Sequence, residues 1–251
     1  MPHERKAAIV TGASRGIGAA IATRLAADGY AIAVNYAHDR SGAQRTVESI
    51  LETGGAARSF QADISRESDV IDLFNAADAQ FGTVSVLVNN GGVTGGFSRV
   101  DELSAESLTH VFAVNVIGAF LCAREAVRRM SVRHDGGGGS IVNISSRAGD
   151  LGGSGEWVHY AATKGALDTL TKGLAKEIAL EGVRVNAVAA GLIETDLHAA
   201  AGKPDRTAKM ASSIPIGRAG LPDEIAECVS WLVSPAAAYI TGAIVPVSGG
   251  R

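Results

Sequence analysis

The sequence has few features of a secreted, membrane-spanning or nucleic-acid-binding protein. Its 251 residues include two cysteines, Cys122 and Cys228, both in helical patterns, where we expect small buried thiols of a reducing compartment. Lys and Arg number 23 against 26 Asp and Glu, and without a basic stripe nucleic acid is not an expected partner. No apolar run approaches the ~20 residues of a membrane span, and the polar start is too short for a signal peptide. We therefore expect a soluble, cytoplasmic protein with no membrane partner.

What the sequence has is an alternation of short apolar strands with helices of ten or more residues. The strands are predicted at 6–10, 31–35, 58–62, 84–88, 140–144, 183–188 and 243–247. This alternation predicts right-handed βαβ units and a parallel sheet, whose ligands bind at the carboxyl ends of the strands. We find no internal repeat and no second boundary, so we interpret residues 1–251 as a single α/β domain.

The stretch from Ser145 to Lys164 holds the pair of side chains that suggests chemistry. Tyr160 and Lys164 stand four residues apart, so on a helix they share one face, one turn apart. An ammonium about 5 Å from a phenol, at an effective dielectric of ~20, favours the phenolate by roughly 3 kcal/mol, or about two pKa units. A tyrosine shifted in this way can exchange protons with a substrate. Such pairs also occur by chance on solvated helices. Whether this pair is catalytic therefore depends on the motifs in the rest of the chain.

A glycine-rich turn follows the first predicted strand. Gly12, Gly16 and Gly18 stand between this strand and a helical pattern with apolar residues at four-residue spacing. Such a turn presents backbone N–H groups and a helix N-terminus to an anion, and the missing side chains admit a pyrophosphate. The spacing G-x-x-x-G-x-G differs from the commoner G-x-G-x-x-G fingerprint. The strand–turn–helix context nevertheless predicts a dinucleotide site.

The end of the second predicted strand bears on which dinucleotide binds. An acidic residue there would bind a ribose 2′-hydroxyl, but the chain has Asn35 and Tyr36. Arg15 and Arg40 are near in the pattern, and an arginine would pair with a 2′-phosphate. We therefore expect NADP(H) as the preferred cofactor, with NAD(H) as the alternative, and Arg15 as the better candidate contact. If the end of the second strand were shifted by one residue, the acidic Asp39 would come closer to the ribose, which would favour NAD(H).

Together these residues resemble the short-chain dehydrogenase/reductase family, over nearly the whole chain from residue 11 to 250. The resemblance is carried by TGASRGIG at 11–18, Asp63, NNGG at 89–92, Asn115, Ser146, and the Y-x-x-x-K of Tyr160 and Lys164. The family implies a Rossmann-type, doubly wound, mostly parallel seven-stranded sheet with helices on both faces. It also implies a homotetramer or homodimer, and hydride transfer between a nicotinamide and a carbonyl or hydroxyl carbon of a small molecule.

The resemblance implies cofactor contacts residue by residue. They fall on Gly12, Ser14, Arg15, Gly16, Ile17, Gly18, Asp63, Ile64, Asn89, Tyr160, Lys164, Ile193 and Thr195. Within this set the family's adenine-binding acid matches Asp63, and a residue near the adenosine ribose matches Asn89. Ile193 and Thr195 match the contacts that fix the nicotinamide carboxamide.

The resemblance also implies the catalytic roles. Tyr160 matches the acid/base, and Lys164 matches the residue that holds the nicotinamide ribose and lowers the tyrosine pKa. Ser146 matches the group that hydrogen-bonds the substrate oxygen, and Asn115 matches the anchor of a water in the proton relay. Ser146 is chosen over Ser145 because two residues and then a glycine follow it, as in the family. No metal is expected.

The sequence departs from the family pattern at three places. Gly91 replaces the usual alanine, which loosens that turn. Ala190 replaces the usual proline, which frees the start of a segment at about 192–216 that we interpret as a substrate lid. One extra residue falls within 152–157, between Ser146 and Tyr160. It borders the expected substrate pocket, where Trp157 and His159 are either substrate contacts or plain packing.

The substrate stays open at this stage. One branch that looks similar is the 3-oxoacyl-acyl-carrier-protein reductases, whose acidic carrier needs a basic landing patch. Arg128, Arg129 and Arg133 provide part of such a patch. The other branch comprises glucose-1-dehydrogenase-like enzymes and general carbonyl reductases. A cofactor-sensing protein without catalysis is a third alternative, but such proteins tend to lose the tyrosine or the lysine.

Overall fold

The computed structural model describes residues 6–196, 202–203 and 205–251. The strands are β1 (Ala7–Val10), β2 (Ala31–Tyr36), β3 (Ala56–Gln61), β4 (Val84–Asn89), β5 (Gly139–Ser146), β6 (Val183–Ala190) and β7 (Ile244–Val247). They form one seven-stranded sheet in the order β3-β2-β1-β4-β5-β6-β7, and neighbouring strands pair in parallel. The predicted Rossmann-type α/β fold is therefore confirmed.

The α-helices in the described part of the chain connect these strands. They are α1 (Gly16–Ala27), α2 (Arg40–Glu52), α3 (Glu67–Phe81), α4 (Ala105–Phe112), α5 (Gly118–Met130), α6 (Ala148–Leu151), α7 (Val158–Glu177), α8 (Arg206–Met210) and α9 (Pro222–Val233). A π-helical segment, Ala113–Ile117, joins α4 to α5. The sequence pattern predicts one helix over 104–132 and does not predict α6 or α8.

The sheet is buried on both faces because its strands are apolar at successive positions. In β1 all four residues are buried, and they alternate between two cores. Ala8 and Val10 face the core formed with α1, α2 and α9, whereas Ala7 and Ile9 face the core formed with α3, α5 and α7. Helices therefore cover both faces of the sheet, as doubly wound folds require.

The strand order places a crevice at the carboxyl ends of β1 and β4. From β1 the chain runs outward to β3 and then returns to β4 on the other side of β1. The loops after β1 and β4 therefore leave the sheet in opposite directions. Ligands of open α/β sheets bind at such a switch point.

One helical stretch, residues 105–130, is long and apolar enough to cross a membrane by length and composition alone. This corrects the expectation that no segment comes near that length. Its inner face packs on the sheet as a core helix does, with Cys122, Ala126 and Met130 buried against α3 and β4. Its outer face exposes Phe120 and Ile117.

Candidate active site

β5 and α7 bring three of the predicted catalytic side chains together. β5 is buried along most of its length and ends at Ser146. α7 begins at Val158, which puts Tyr160 and Lys164 in its first two turns, both buried. The Ser146 hydroxyl makes a side-chain hydrogen bond with Tyr160. Nζ of Lys164 lies 5.6 Å from the centre of the Tyr160 ring and donates to the carbonyl of Ile144 at 2.7 Å.

Burial, rather than the neighbouring charge, sets the ionisation of this pair. Removal from water raises the pKa of Tyr160 to about 12, and the hydrogen bond from Ser146 only partly offsets this. Burial also lowers the pKa of Lys164 to about 8, against an opposing effect of Asp168. The expected lowering of the tyrosine pKa by the lysine is therefore wrong, because burial raises this pKa. Tyr160 is fully protonated at neutral pH, which is the form that donates a proton.

Asn115 lies behind this group, in the π-helical segment. Its side-chain amide donates to the carbonyl of Val93 at 2.8 Å and to the Thr163 hydroxyl at 3.0 Å. Its Oδ1 accepts from the N–H of Val93 at 2.8 Å, so Asn115 joins the loop after β4 to α7. A methyl carbon placed on Gly92 would lie 3.3 Å from Oδ1 of Asn115 and 3.8 Å from Nζ of Lys164. Glycine at 92 thus leaves free the space between the amide and the ammonium.

A cavity of about 830 Å³ extends from this group along the carboxyl ends of the strands. Its floor is the glycine turn, in which Gly12 and Gly16 have φ of +61° and +56°, a conformation that favours glycine. A methyl carbon on Gly18 would lie 2.4 Å from the Gly12 carbonyl oxygen. The Thr195 methyl group lies 3.4 Å from the corresponding point on Gly16. The first residues after β6 therefore meet the glycine turn across the cavity.

Two asparagines and a threonine hold the glycine turn, and the sequence analysis gave them no role. Nδ2 of Asn90 donates to the carbonyls of Thr11 and Gly12 at 2.9 and 3.0 Å. The Thr11 hydroxyl accepts from the N–H groups of Asn90 and Gly91. Oδ1 of Asn35 accepts from the N–H of Gly12 at 3.2 Å. The only sequence signal for these contacts was that polar residues stand at the ends of β2 and β4, the two strands that flank β1.

The far end of the cavity is lined by polar side chains around β2 and β3. Burial disfavours a charged Asp63, but hydrogen bonds from Ser65 outweigh it and the pKa of Asp63 is lowered. Arg15 lines the cavity and is exposed, whereas Arg40 does not line it. Asp39 also lines the cavity, but its carboxylate caps α2 by accepting from the N–H of Gly42 at 2.9 Å. This hydrogen bond is the main reason that its pKa is lowered.

Most of the predicted site residues line this one cavity. They are Gly12, Ser14, Arg15, Gly16, Ile17, Gly18, Asp63, Ile64, Ser146, Tyr160, Lys164, Ile193 and Thr195. Asn89 is a correction, because its side chain does not reach the cavity. It is buried behind β4, where Nδ2 donates to Asn143 at 3.0 Å and to the carbonyl of Ala119 at 3.3 Å. The neighbouring Asn90 lines the cavity instead.

The substrate end of the cavity is bordered by the enlarged loop and by the first part of the segment 192–216. Trp157 lines the cavity, whereas His159 is buried beside it with Nε2 2.8 Å from the carbonyl oxygen of Thr94. His159 therefore packs rather than faces a substrate. Of the predicted lid, residues 197–201 and 204 lie outside the described residues. In the part of the chain that is described, no group of three His, Cys, Asp or Glu side chains is arranged to hold a metal ion.

The cavity fits a nicotinamide dinucleotide. Its glycine turn packs closely on the loop after β4, since a Cβ on Gly12 would lie 2.9 Å from Cα of Gly91, and it places a helix N-terminus at the cavity floor, where a pyrophosphate can bind. The other end holds the hydroxyls of Ser146 and Tyr160 and the ammonium of Lys164, which suits proton transfer to an oxygen. A parallel doubly wound sheet with this cavity at its switch point defines a nicotinamide-dependent oxidoreductase. A family model described as "Enoyl-(Acyl carrier protein) reductase" matches residues 12–251. The chain belongs to the short-chain dehydrogenase/reductase family and is an NAD(P)-dependent oxidoreductase.

Similar proteins cover the chain from end to end. An uncharacterised oxidoreductase of Escherichia coli K12, YgfF, is 47% identical over 97% of this chain and 99% of its own length. Glucose 1-dehydrogenase 2 of Bacillus subtilis is 40% identical, over 98% of this chain and 94% of its own length. A solved structure of a metagenomic blue fluorescent protein in complex with NADPH is 34% identical with a TM-score of 0.89, covering 98% of this chain and 97% of that one.

Proposed function

We propose that this enzyme is an NADP(H)-dependent carbonyl reductase, which interconverts small-molecule ketones or aldehydes and alcohols with Tyr160 as acid/base. The observation that carries the proposal is the buried Tyr160 hydroxyl, hydrogen-bonded to Ser146 one helical turn from Lys164, at one end of a dinucleotide-sized cavity. A turnover screen with both cofactors tests it, comparing a sugar, an acetoacetyl thioester and simple ketones. The non-catalytic alternative would be supported instead by saturable NADPH binding without turnover.

In the proposed mechanism the protein positions the substrate oxygen and moves the proton. The bound nicotinamide supplies the hydride. Ser146 and Tyr160 hold the carbonyl oxygen through their hydroxyls, and the Tyr160 hydroxyl donates its proton to that oxygen. Lys164 lies beside Tyr160 and can return a proton through a water held at Asn115, in the space that Gly92 leaves open. Asn115 orders this path because it fixes the backbone of Val93 at both the N–H and the carbonyl.

The pKa of Lys164 predicts the pH dependence of carbonyl reduction. Its pKa is lowered to about 8 by burial, so the ammonium is present below pH 8 and is lost above it. We expect kcat/KM for reduction to be level from pH 6 to 7.5 and to fall tenfold per pH unit well above pH 8. In Lys164→Arg the charge persists, so the fall should move to higher pH. A wild-type profile that stays level to pH 10 would contradict the role of Lys164.

Preference for NADP(H) rests on Arg15. Its exposed side chain lines the adenosine end of the cavity, and no acid stands at positions 35 or 36. A charge-assisted hydrogen bond contributes about 1.5 kcal/mol, so Arg15→Ala should raise the Kd of NADPH about tenfold and that of NADH less than twofold. Arg40→Ala is the matched control, since Arg40 is exposed outside the cavity. Fluorescence titration measures both, and equal losses for the two cofactors would refute the assignment.

A free carbonyl compound fits the surface better than an acyl-carrier thioester. The candidate landing patch is weakened because Arg129 is mostly buried, with salt bridges to Asp78 at 2.5 Å and Glu125 at 2.9 Å. Arg128 also pairs with Glu125, at 2.8 Å. Of the three arginines only Arg133, which is exposed, has no salt bridge among the described residues, so the patch offers an acidic carrier protein less free charge than the sequence suggests. The 3-oxoacyl-[acyl-carrier-protein] reductases are nevertheless among the similar proteins, at 38% identity.

The domain, the lid and the assembly of the enzyme complete the proposal. Residues 1–251 form one NAD(P)-binding domain, and the segment at about 192–216 acts as the substrate lid. The enzyme assembles as a homotetramer or homodimer in the cytoplasm. The exposed Phe112, Ile117 and Phe120 support assembly, because they leave an apolar face along residues 105–130. Light scattering of the purified protein measures its mass and decides the assembly.

A further inference from the structure

Three segments meet at the substrate end of the cavity, and they do so through one cluster of side chains. The segments are the loop after β4, the enlarged loop before α7, and the start of α8. They contribute Phe97, Glu156, Trp157 and Arg206, with Lys203 at the edge. The backbone also joins two of them, because the N–H of Ser98 donates to the carbonyl of Glu156 at 2.7 Å.

The charge of Arg206 is paired with a carboxylate within this cluster. Its guanidinium donates to both carboxylate oxygens of Glu156 at 2.6 Å, the paired geometry in which arginine binds a carboxylate most strongly. The side chain of Arg206 is only 9% exposed, and Glu156 also accepts from Lys203 at 3.3 Å. These cations hold the pKa of Glu156 below its usual range, chiefly through the hydrogen bond from Arg206. The two terminal nitrogens of Arg206 are therefore not offered to an anionic substrate.

Arg206 also covers the aromatic wall of the pocket. Its guanidinium lies 4.8 Å from the centre of the Trp157 ring and 5.2 Å from that of Phe97. Trp157 and Phe97 stack at 4.5 Å with an angle of 20° between their planes. Trp157 in turn lies 5.3 Å from the ring of Tyr160. The indole is thus fixed between the proposed proton donor on one side and Phe97 with Arg206 on the other.

The glycines of the enlarged loop make this position of the indole sterically accessible. A methyl carbon on Gly153, whose φ is +59°, would lie 2.6 Å from Cδ1 of Trp157. The indole lines the cavity next to Tyr160 and is buried by its neighbours. A substrate whose reacting carbon lies at Tyr160 therefore has beside it the part of the indole that lines the cavity, an apolar surface against which an aromatic ring can pack.

We propose that the Glu156–Arg206 pair holds Trp157 as a specificity-determining wall, and that this wall selects carbonyl or alcohol substrates with an apolar ring attached to the reacting carbon. The inference rests on the proposed carbonyl reductase function and names its substrate class. Glu156 and Arg206 are positioning residues, which act on the substrate through Trp157. Trp157 itself contacts the ring of the substrate.

The experiment compares two ketones with the full-length enzyme and NADPH, following NADPH oxidation. Acetophenone carries a ring on the reacting carbon, and 2-butanone does not. We expect the wild type to prefer acetophenone at least tenfold in kcat/KM. Trp157→Ala should remove this preference by raising KM for acetophenone about tenfold, with a smaller rise in KM for 2-butanone. Trp157→Phe should retain most of the preference.

A double-mutant cycle tests the pair. Glu156→Gln and Arg206→Gln should each reduce the preference three- to tenfold, and the double variant should be no worse than either, because both changes release the same contact. Arg218→Gln is the matched control: Arg218 forms an equally close fork with Glu224, at 2.7 and 2.8 Å, outside the cavity. This control should leave the preference unchanged. Thermal unfolding and NADPH affinity establish that each variant is folded.

The positioning role of the pair, the substrate class and the proposed function are each contradicted by a different result. Additive losses in the cycle, or equal losses on both ketones, would refute the positioning role of the pair. A wild type that reduces 2-butanone as well as acetophenone would refute the ring-bearing substrate class while leaving the proposed function intact. Absence of turnover with any carbonyl or alcohol substrate would refute the proposed function itself.

Discussion

Tyr160→Phe should lower kcat for carbonyl reduction about 10³-fold, while the Kd of NADPH stays within threefold of the wild type. General acid catalysis by a positioned side chain contributes roughly 10²–10⁴-fold, and 10³-fold corresponds to about 4 kcal/mol. The phenol is present as the acid at every working pH, because burial raises the pKa of Tyr160 to about 12. Phenylalanine keeps the ring that packs on Trp157 and removes only the hydroxyl.

A matched tyrosine elsewhere in the chain separates chemistry from folding. Tyr239 is fully exposed, and Tyr239→Phe should leave kcat, KM and the melting temperature unchanged. Steady-state kinetics with each ketone, and titration of NADPH fluorescence, give the two quantities needed. If Tyr160→Phe kept more than a tenth of wild-type kcat, another group would have to supply the proton, and the proposed mechanism would be wrong.

The central strands were predictable because the apolar residues that form them are buried on both faces. β4 was predicted at 84–88 and is observed at Val84–Asn89, and β6 was predicted at 183–188 and is observed at Val183–Ala190. The observed strands run further toward the ends that form the site. There the residues are small or polar, as Asn89 and Ala190 are, and pairing with neighbouring strands extends them beyond the apolar run.

Local spacing could not predict features that arise from contacts between distant segments. Asn115 lies in a π-helical segment, where the extra residue per turn accompanies its hydrogen bonds to Val93 and Thr163, far away in sequence. α8 is too short to have a recognisable apolar face and is held by the pairing of Arg206 with Glu156. The spacing placed Tyr160 and Lys164 correctly, but the direction of their pKa shifts depends on burial by the whole fold.

Among the proposed cofactor-binding residues, Gly18 should be the least tolerant of a side chain. A methyl carbon there would lie 2.4 Å from both the Gly12 carbonyl oxygen and Nδ2 of Asn90, and the same Nδ2 donates to that carbonyl at 3.0 Å. Gly18→Ala therefore separates two groups that fix the glycine turn. Overpacking of this kind costs about 2 kcal/mol, which exceeds the roughly 1 kcal/mol that alanine gains over glycine in a helix.

We expect Gly18→Ala to raise the Kd of NADPH about 30-fold, the equivalent of ~2 kcal/mol, because the displaced turn no longer presents its N–H groups to the pyrophosphate. Gly173→Ala is the matched control, since Gly173 is exposed in α7 with no atom within 4 Å of the added carbon. It should stabilise the protein slightly and leave the Kd unchanged. Titration of NADPH fluorescence measures the affinity and thermal unfolding the stability. If Gly18→Ala bound NADPH as the wild type does, the cofactor would not depend on this turn, and the assignment of the cavity's glycine-lined floor to the pyrophosphate would have to be abandoned.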